Sequence, residues 1–265
     1  MSTQAIQLEM QGALALVTLA QAARGNPIDG GFGSEFKLVA AELWDRHQAG
    51  GLRAVLLRAE GANFSYGGDL KTFFPVRDRL GPLVREWTGQ LHMGLQRFWQ
   101  LPVPVVCAVQ GFAMGGGVAL LAGADVVLAA ESARLGSAFA QLGFSCDSGS
   151  SVTLTSRMGV ARARRFVLLA EVLSSAEALQ AGLVDRVVAD DQLQQEASAL
   201  AQRLAEGPTV AYGEIKRLFA AAGGALLTAQ LEDEALTLAR VAGKADAQEG
   251  IAAMVERRKP VFKGV

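Results

Sequence analysis

Two glycine-rich segments, each directly after an apolar run, are the first candidates for chemistry. Asn63–Leu70 reads NFSYGGDL and follows Ala54–Ala59, while Gln110–Leu120 reads QGFAMGGGVAL and follows Val103–Val109. Paired glycines let a chain turn sharply and point backbone N–H groups into a cleft. At the start of a helix such N–H groups also attract negative charge. Each segment alone is equally typical of a turn or of helix packing, but together they predict two clusters of N–H donors at separate strand ends.

A third segment supplies a candidate base. Gly143–Ser151 reads GFSCDSGSS, so Asp147 stands among small residues with apolar flanks. A carboxylate with little water around it is a better proton acceptor, which favours a role as a general base. The alternative is that Asp147 caps the helix that follows, and the sequence leaves both open. With the two N–H clusters, one base fits the stabilisation of an oxyanion derived from a carbonyl group.

Histidine and cysteine are too scarce for several other kinds of site. His47 and His92 are the only histidines, so no histidine-based metal triad exists and we expect no metal site. The two cysteines, Cys107 and Cys146, exclude a disulfide scaffold and a multi-cysteine zinc site. His92 lies on a predicted helix with its side chain facing inward, where a satisfied core or cleft histidine is the favoured interpretation.

The composition of the 265 residues indicates a globular chain that binds neither nucleic acid nor membranes. Hydrophobic residues make up 51% and charged residues 19%, and the net charge is −1. The segment Phe98–Ala124 is free of charge, but its prolines and glycines predict a buried strand, turn and helix instead of a membrane span. The amino-terminal residues lack a secretory signal, so we expect a cytoplasmic protein.

The elements that must position these residues alternate between strands and helices. Apolar runs predict strands at Ala13–Leu19, Ala54–Ala59, Val103–Val109, Asp125–Ala129 and Val184–Val188. Helical spacing predicts helices at Ser34–Gln48, Leu83–Gln100, Ala161–Ala170, Ser175–Ala181, Asp190–Ala205, Thr209–Ala222 and Leu226–Val241. We expect Ser34 to cap the first helix and Ser174 or Ser175 to cap the fourth. The alternation predicts an α/β fold with largely parallel pairing, followed by helices alone beyond about residue 205.

Four segments spread over the chain resemble the crotonase superfamily, the enoyl-CoA hydratase/isomerase family. They are Phe64–Leu70, residues 104–117, residues 174–185 and the ending from residue 249 to residue 264. The resemblance implies a crotonase fold, which is a spiral of ββα units with a helical C-terminal trimerisation region. It divides the chain into a core over residues 1–205 and an oligomerisation region over residues 206–265. It also implies a homotrimer or a dimer of trimers.

The resemblance assigns roles to individual residues. The N–H groups of Gly68 and Gly116 correspond to the oxyanion hole that holds the thioester oxygen of an acyl-CoA substrate. Coenzyme A is then part of the substrate, so no separate cofactor is expected. The positions that match the coenzyme A site are Arg24, Asn26, Ser65, Gly67, Asp69 and Leu70. Lys259, Phe262 and Lys263 are candidates near the adenine end.

Departures from the family pattern favour one reaction over another. Hydratases of the family use two glutamates, and these positions are Ala119 and about Phe139 here. Neither accepts a proton, so hydration by the paired-glutamate route is not expected. Asp147 matches a carboxylate of several isomerases, and its segment resembles the ring-epoxide isomerases of phenylacetate breakdown. The resemblance therefore predicts an isomerase in which Asp147 moves a proton through a thioester dienolate.

Three other functions remain open at this point. Aryl-CoA dehalogenases combine a nucleophilic Asp with a His at the position of His92, although their supporting tryptophan is Phe139 here. A divergent hydratase would need a relocated base. A non-catalytic member would keep only the coenzyme A site. The direction of the Asp147 side chain discriminates the last of these, because a carboxylate that caps a helix and points away from the pocket would favour binding alone.

Overall fold

A computed structural model describes residues 4–207, 209–223 and 227–261 as an α/β fold with two sheets. The strands are β1 (Ile6–Gln11), β2 (Leu14–Leu19), β3 (Ala54–Ala59), β4 (Val105–Val109), β5 (Phe112–Met114), β6 (Val126–Ala130), β7 (Arg134–Gly136), β8 (Val172–Ser174) and β9 (Arg186–Val188). The larger sheet has the order β1-β2-β3-β4-β6-β9, and the smaller one has the order β5-β7-β8.

Helices alternate with these strands in the first part of the chain and follow one another at its end. They are α1 (Gly30–Gln48), α2 (Leu70–Phe73), α3 (Leu80–Trp99), α4 (Gly116–Ala122), α5 (Ser150–Met158), α6 (Val160–Leu168), α7 (Ser175–Gln180), α8 (Leu193–Ala205), α9 (Thr209–Gly223), α10 (Leu227–Ala242) and α11 (Ala245–Val255). Short 3-10 turns lie at Ala22–Arg24, Phe74–Arg79 and Ala140–Leu142.

Parallel pairing dominates the large sheet because helices connect its strands. From β2 to β9 every neighbouring pair is parallel, while β1 joins β2 as an antiparallel hairpin. Every residue of β2 and β4 is buried. Strands covered on both faces are continuous apolar runs, which is the pattern that the sequence carries. The prediction of a largely parallel α/β core is confirmed.

Two predictions about element ends have different outcomes. Ser174 caps α7 in a capping box, because its hydroxyl accepts from the Glu177 N–H while the Glu177 carboxylate accepts from the Ser174 N–H. Ser34, in contrast, is not the cap of α1. The helix begins at Gly30, and Asp29 caps it by accepting from the Phe32 N–H at 3.0 Å. The pair of glycines after Asp29 hid this start, since glycine has low helix propensity.

The C-terminal helices pack on the core of the same chain. α10 packs along α3, and α11 contacts the turns Phe74–Arg79 and Ala140–Leu142. Close packing of α10 on α3 is possible because a Cβ atom on Gly81 would lie only 2.5 Å from the Ala239 carbonyl oxygen. Within the described ranges no helix is long and apolar enough to cross a membrane.

Candidate active site

A cavity of about 470 Å³ lies where the two glycine-rich segments, the Asp147 segment and the C-terminal helices meet. Its polar and glycine lining residues include Arg24, Asp29, Tyr66, Gly67, Gly68, Asp69, Lys71, Gly115, Gly116, Asp147 and Ser148. Its apolar lining residues include Ile28, Phe73, Val84, Trp87, Leu91, Phe139, Leu142, Phe144, Leu238 and Met254. The three segments selected from the sequence therefore share one cavity.

The loop after β3 is fixed between the segment at residues 25–28 and strand β5. The Ile28 N–H donates to the Gly67 carbonyl at 2.8 Å, and the Met114 N–H donates to the Ser65 carbonyl at 2.9 Å. The buried Ser65 hydroxyl donates to the Asn26 carbonyl at 2.7 Å and accepts from the Gly67 N–H at 3.0 Å. This loop is therefore rigid just before Gly68.

Close backbone approach brings the two candidate N–H donors together. Gly67 has a φ of +77°, and a Cβ atom there would lie 2.6 Å from the Met114 carbonyl oxygen and 3.3 Å from the Gly116 nitrogen. Among the described residues, no backbone carbonyl accepts from the Gly68 N–H. Gly116 is the first residue of α4, so its N–H has no partner within the helix. Two N–H groups at one cavity wall can stabilise an oxyanion.

Asp147 lines the cavity three residues before helix α5, which begins at Ser150. The residue is 9% exposed, and its carboxylate accepts from the Ser148 hydroxyl at 3.1 Å. A Cβ atom on Gly116 would lie 3.7 Å from that hydroxyl oxygen. The carboxylate is thus connected through Ser148 to the wall that carries the N–H donors.

The other two carboxylates of the cavity form ion pairs. The Arg24 guanidinium donates to Asp69 at 2.5 Å and to Asp29 at 2.9 Å. Burial opposes ionisation of Asp69, but hydrogen bonds from Arg24, Thr72 and the Lys71 N–H outweigh it and lower the pKa of Asp69. The hydrogen bond to Asp69 in turn raises the pKa of Arg24. Asp69 is therefore held as an anion, and both carboxylates are paired with the Arg24 cation, which does not suit a proton shuttle.

The residues that were expected to bind coenzyme A divide into two groups. Arg24, Gly67, Asp69 and Leu70 line the cavity. Asn26 and Ser65 do not, because their side chains brace the loop instead. The Asn26 side-chain amide donates to the carbonyls of Glu60 and Asn63, each at 3.0 Å.

Lys71 and Tyr66 line the cavity without having been selected from the sequence. Tyr66 belongs to the segment Asn63–Leu70, and Lys71 directly follows that segment. Their positions close to Asp69 are the signal that could have identified them. Of the candidates near the adenine end, Lys259 is exposed and outside the cavity. Phe262 and Lys263 lie outside the described residues.

Aromatic rings form much of the apolar lining of the cavity. The Phe73 and Trp87 rings stack with centroids 5.9 Å apart and an interplanar angle of 19°. The Phe144 ring is tilted against Phe73 at 6.4 Å. Leu238 of α10 and Met254 of α11 also line the cavity, so the C-terminal helices contribute to the cavity of their own chain.

His92 is buried away from the cavity lining. It is 6% exposed on α3, and within the described part of the chain neither ring nitrogen has a hydrogen bond of ordinary geometry. Loss of water lowers the pKa of His92 to about 4, and the backbone of Leu231 offsets this only in part. The imidazole is therefore neutral near neutral pH. It does not face the same space as Asp147.

The two glutamate positions of the family carry no proton acceptor in the folded chain. Ala119 is fully buried in α4 and does not line the cavity, while Phe139 forms part of the cavity wall. Over the ranges that the structure describes, no cluster of His, Cys, Asp and Glu side chains could hold a metal ion. Of the three carboxylates that line the cavity, Asp147 is the one that is not paired with Arg24.

Comparisons with known proteins agree on the family. The model of the family "Enoyl-CoA hydratase/isomerase" matches residues 9–265. A probable enoyl-CoA hydratase of Rhodobacter capsulatus is 35% identical over the full length of both chains. The 1,2-epoxyphenylacetyl-CoA isomerase of Escherichia coli is 37% identical over 80% of this chain and 82% of its own. The crystal structure of an enoyl-CoA hydratase from Mycobacterium avium subsp. paratuberculosis superposes with a TM-score of 0.86 at 28% identity, covering 98% of each chain. With its crotonase fold, the chain belongs to the enoyl-CoA hydratase/isomerase family.

Proposed function

We propose that the protein is an acyl-CoA isomerase that shifts a double bond or a ring system next to the thioester. Asp147 is the proton-transferring base, and the N–H groups of Gly68 and Gly116 hold the thioester oxygen. The observation that carries this proposal is the single carboxylate, Asp147, that lines the cavity without an Arg24 partner. A single base suits a proton shuttle, whereas addition of water by the family route uses a pair of glutamates.

The proton and electron movements balance without a further reactant. Asp147 takes a proton from C2 of a 3-enoyl thioester, and the electron pair spreads over the dienolate to the thioester oxygen. The two N–H groups stabilise the negative charge that develops there. The protonated Asp147 then returns the proton at C4, which leaves the double bond between C2 and C3. General acid–base transfer of this kind contributes about 100- to 10,000-fold in rate.

The aromatic wall supports a flat, unsaturated or cyclic acyl group. Phe73, Trp87 and Phe144 line the cavity and contact one another, and planar groups pack well against such rings. The Thr88 hydroxyl is satisfied by the Val84 carbonyl at 2.7 Å, so it is not available as a donor to a polar acyl group. The relative from Escherichia coli, whose name refers to an epoxyphenylacetyl group, supports the same class of acyl group.

Fewer observations support the three alternative functions. The name of the Rhodobacter capsulatus relative favours hydration, but Ala119 and Phe139 leave no paired acid for it. A dehalogenase would need His92 beside Asp147, and His92 is outside the cavity lining. A protein that only binds coenzyme A would not need a buried carboxylate at the cavity wall.

A mass-resolved incubation tests the proposal. Wild type and Asp147→Asn are incubated in heavy water with a 3-enoyl-CoA, a 2-enoyl-CoA and a 4-chlorobenzoyl-CoA. We expect a product with a shifted double bond and with no gain of water. Because Asp147 returns the proton that it removed from C2, deuterium should enter at C4 only to the extent that the protonated Asp147 exchanges with solvent. Asp147→Asn should lose at least about 100-fold of this rate, because the amide cannot accept the proton.

Asp45→Asn is the matched control, because Asp45 is an exposed carboxylate on α1 outside the cavity. It should keep the wild-type rate. A gain of one water with Asp147→Asn still active would replace the proposal by hydration through another base. Replacement of chlorine by hydroxyl would favour the dehalogenase, and binding of coenzyme A without any turnover would favour the non-catalytic reading.

A further inference from the structure

The backbone directly after Asp147 has an uncommon conformation. Ser148 has a φ of +55° and Gly149 has a φ of +73°, so two left-handed residues follow the candidate base. Glycine adopts this region readily, but serine does so at a cost because its Cβ approaches the backbone. Such a residue persists where its surroundings fix it, and it is often found at a functional site. Ser148 is also 2% exposed, so its side chain has a single packed environment.

Neighbouring elements hold this turn in place. The Ser150 N–H donates to the Asp147 carbonyl at 3.0 Å, and the Thr153 N–H donates to the Gly149 carbonyl at 3.0 Å. A Cβ atom on Gly149 would lie 2.6 Å from the Trp99 indole, so the end of α3 packs directly on the turn. The direction of the Ser148 side chain is therefore set by the backbone on both sides of it.

That direction places the Ser148 hydroxyl between the candidate base and the candidate oxyanion hole. The hydroxyl donates to Asp147 Oδ1 at 3.1 Å. The same oxygen lies 3.7 Å from the position of a Cβ atom on Gly116, whose N–H is one of the two donors. Ser148 also lines the cavity. A hydrogen bond to a carboxylate favours its charged form and limits its rotation.

We propose that Ser148 is a positioning residue that orients the Asp147 carboxylate and keeps it ionised beside the Gly116 donor. This inference rests on the proposed function, because it assigns Ser148 a role through Asp147. The left-handed backbone is what brings the hydroxyl back onto the preceding side chain. Neither the residue types nor the family resemblance indicates this contact.

Four other charged side chains line the cavity. Arg24, Asp29 and Asp69 bind one another on the side of the loop after β3, and Lys71 follows on α2. His92, on α3, is buried with a pKa lowered to about 4 by desolvation. The variant His92→Gln therefore tests whether His92 contributes to an acidic limb in the pH dependence of kcat.

The test compares Ser148→Ala and Ser148→Gly with wild type in the isomerase assay over a range of pH. We expect kcat to fall about 10-fold in both variants and the acidic limb of kcat to move up by about one pH unit, since a hydrogen bond to a charged group is lost. KM should change less than about twofold, because the hydroxyl acts on the base and not on the substrate. Ser148→Gly also removes the strain of the left-handed backbone, so agreement between the two variants assigns the effect to the hydroxyl.

Ser150→Ala is the matched control. Its hydroxyl is buried two residues further on, has no hydrogen-bond partner in the described structure and does not line the cavity. It should keep the wild-type kcat and acidic limb, and His92→Gln should also keep the limb. A wild-type pH profile in Ser148→Gly, with Asp147→Asn inactive, would overturn the inference and leave the proposed function standing. Full activity of Asp147→Asn would overturn both.

Discussion

At the scale of single residues, the candidate oxyanion hole depends on glycines that allow two backbone segments to touch. Gly67 is the sharpest case, because a Cβ atom there would lie 2.6 Å from a backbone oxygen that no side-chain rotation can move away. Gly68 differs, since a Cβ atom there would meet the Phe73 ring at 2.9 Å, and a ring can shift. Gly67 is therefore the position where a methyl group must separate the two N–H donors.

We expect Gly67→Ala to lower kcat at least about 100-fold, the effect of losing one oxyanion-hole donor. The control is Gly50→Ala. Gly50 has a similar φ of +76° but no heavy atom within 4 Å of its Cβ position, so this variant carries only the left-handed strain of about 1–2 kcal/mol. Steady-state kinetics and thermal unfolding of both variants separate the two effects. Equal kcat values in the two variants would contradict the role of the close approach.

The sequence could identify these residues by type and spacing but not the direction of every side chain. Gly68, Gly116 and Asp147 were selected from the sequence, and all three line the cavity. Asn26 and Ser65 were selected in the same way, yet their side chains bond to the backbone of neighbouring loops. A motif indicates which segment approaches a ligand, whereas a side chain's partner depends on segments far away in sequence. The contact of Ser148 with Asp147 escaped prediction because it needs a left-handed backbone at a serine.

At the scale of elements, most of the long stretches were predicted, but length alone did not decide the outcome. β3 was predicted with its observed ends, and α3 with its ends shifted by one to three residues. β5, β7 and β8 have three residues each, which is too short to display a period of two, and they were missed, although the equally short β9 lies within a predicted strand. The longer elements β1 and α11 were also missed. β5 nevertheless matters for the site, because it holds the loop that ends at Gly68.

The packing of α10 on α3 leads to a prediction for two glycines of α3, Gly81 and Gly89. A Cβ atom on Gly81 would lie 2.5 Å from the Ala239 carbonyl oxygen, whereas Gly89 has nothing within 4 Å. We therefore expect Gly81→Ala to push α10 away, to lower the free energy of unfolding by about 1–3 kcal/mol and to raise KM for the acyl-CoA, since Leu238 of α10 lines the cavity.

Gly89→Ala is the matched control and should raise stability by up to about 1 kcal/mol, because alanine favours a helix more than glycine does. Urea unfolding and steady-state kinetics of the pair provide the measurement. If Gly81→Ala were as stable as Gly89→Ala with an unchanged KM, the packing of α10 on α3 would not determine the shape of the cavity.

At the scale of the whole molecule, the C-terminal helices complete the cavity of the chain that carries them. Leu238 and Met254 line the same space as Asp147, although about 90 to 110 residues separate them from it in the sequence. The sequence predicted helices in this region. It also predicted an oligomer, and the oligomer remains a prediction. It could not predict closure of the chain's own cavity, because an apolar helix face does not identify the surface that it covers.

His92 lies beneath this closure and makes stability depend on pH. Burial between α3 and α10 lowers its pKa from 6.5 to about 4. Because the folded pKa is the lower one, the unfolded chain binds a proton first as the pH falls. The folded state therefore has its full stability above about pH 6.5 and loses it progressively as the pH falls toward 4.

The expected loss at about pH 5 is about 2 kcal/mol relative to about pH 8, from the difference between the two pKa values. It should be measured by urea unfolding of wild type and His92→Gln at both pH values. His92→Gln cannot titrate, so its loss of stability should be smaller than that of wild type by about this amount. His47→Gln, which replaces the only other histidine, should retain the wild-type loss. If His92→Gln lost as much stability as wild type, the neutral histidine under α10 would not be the group that destabilises the folded chain in acid.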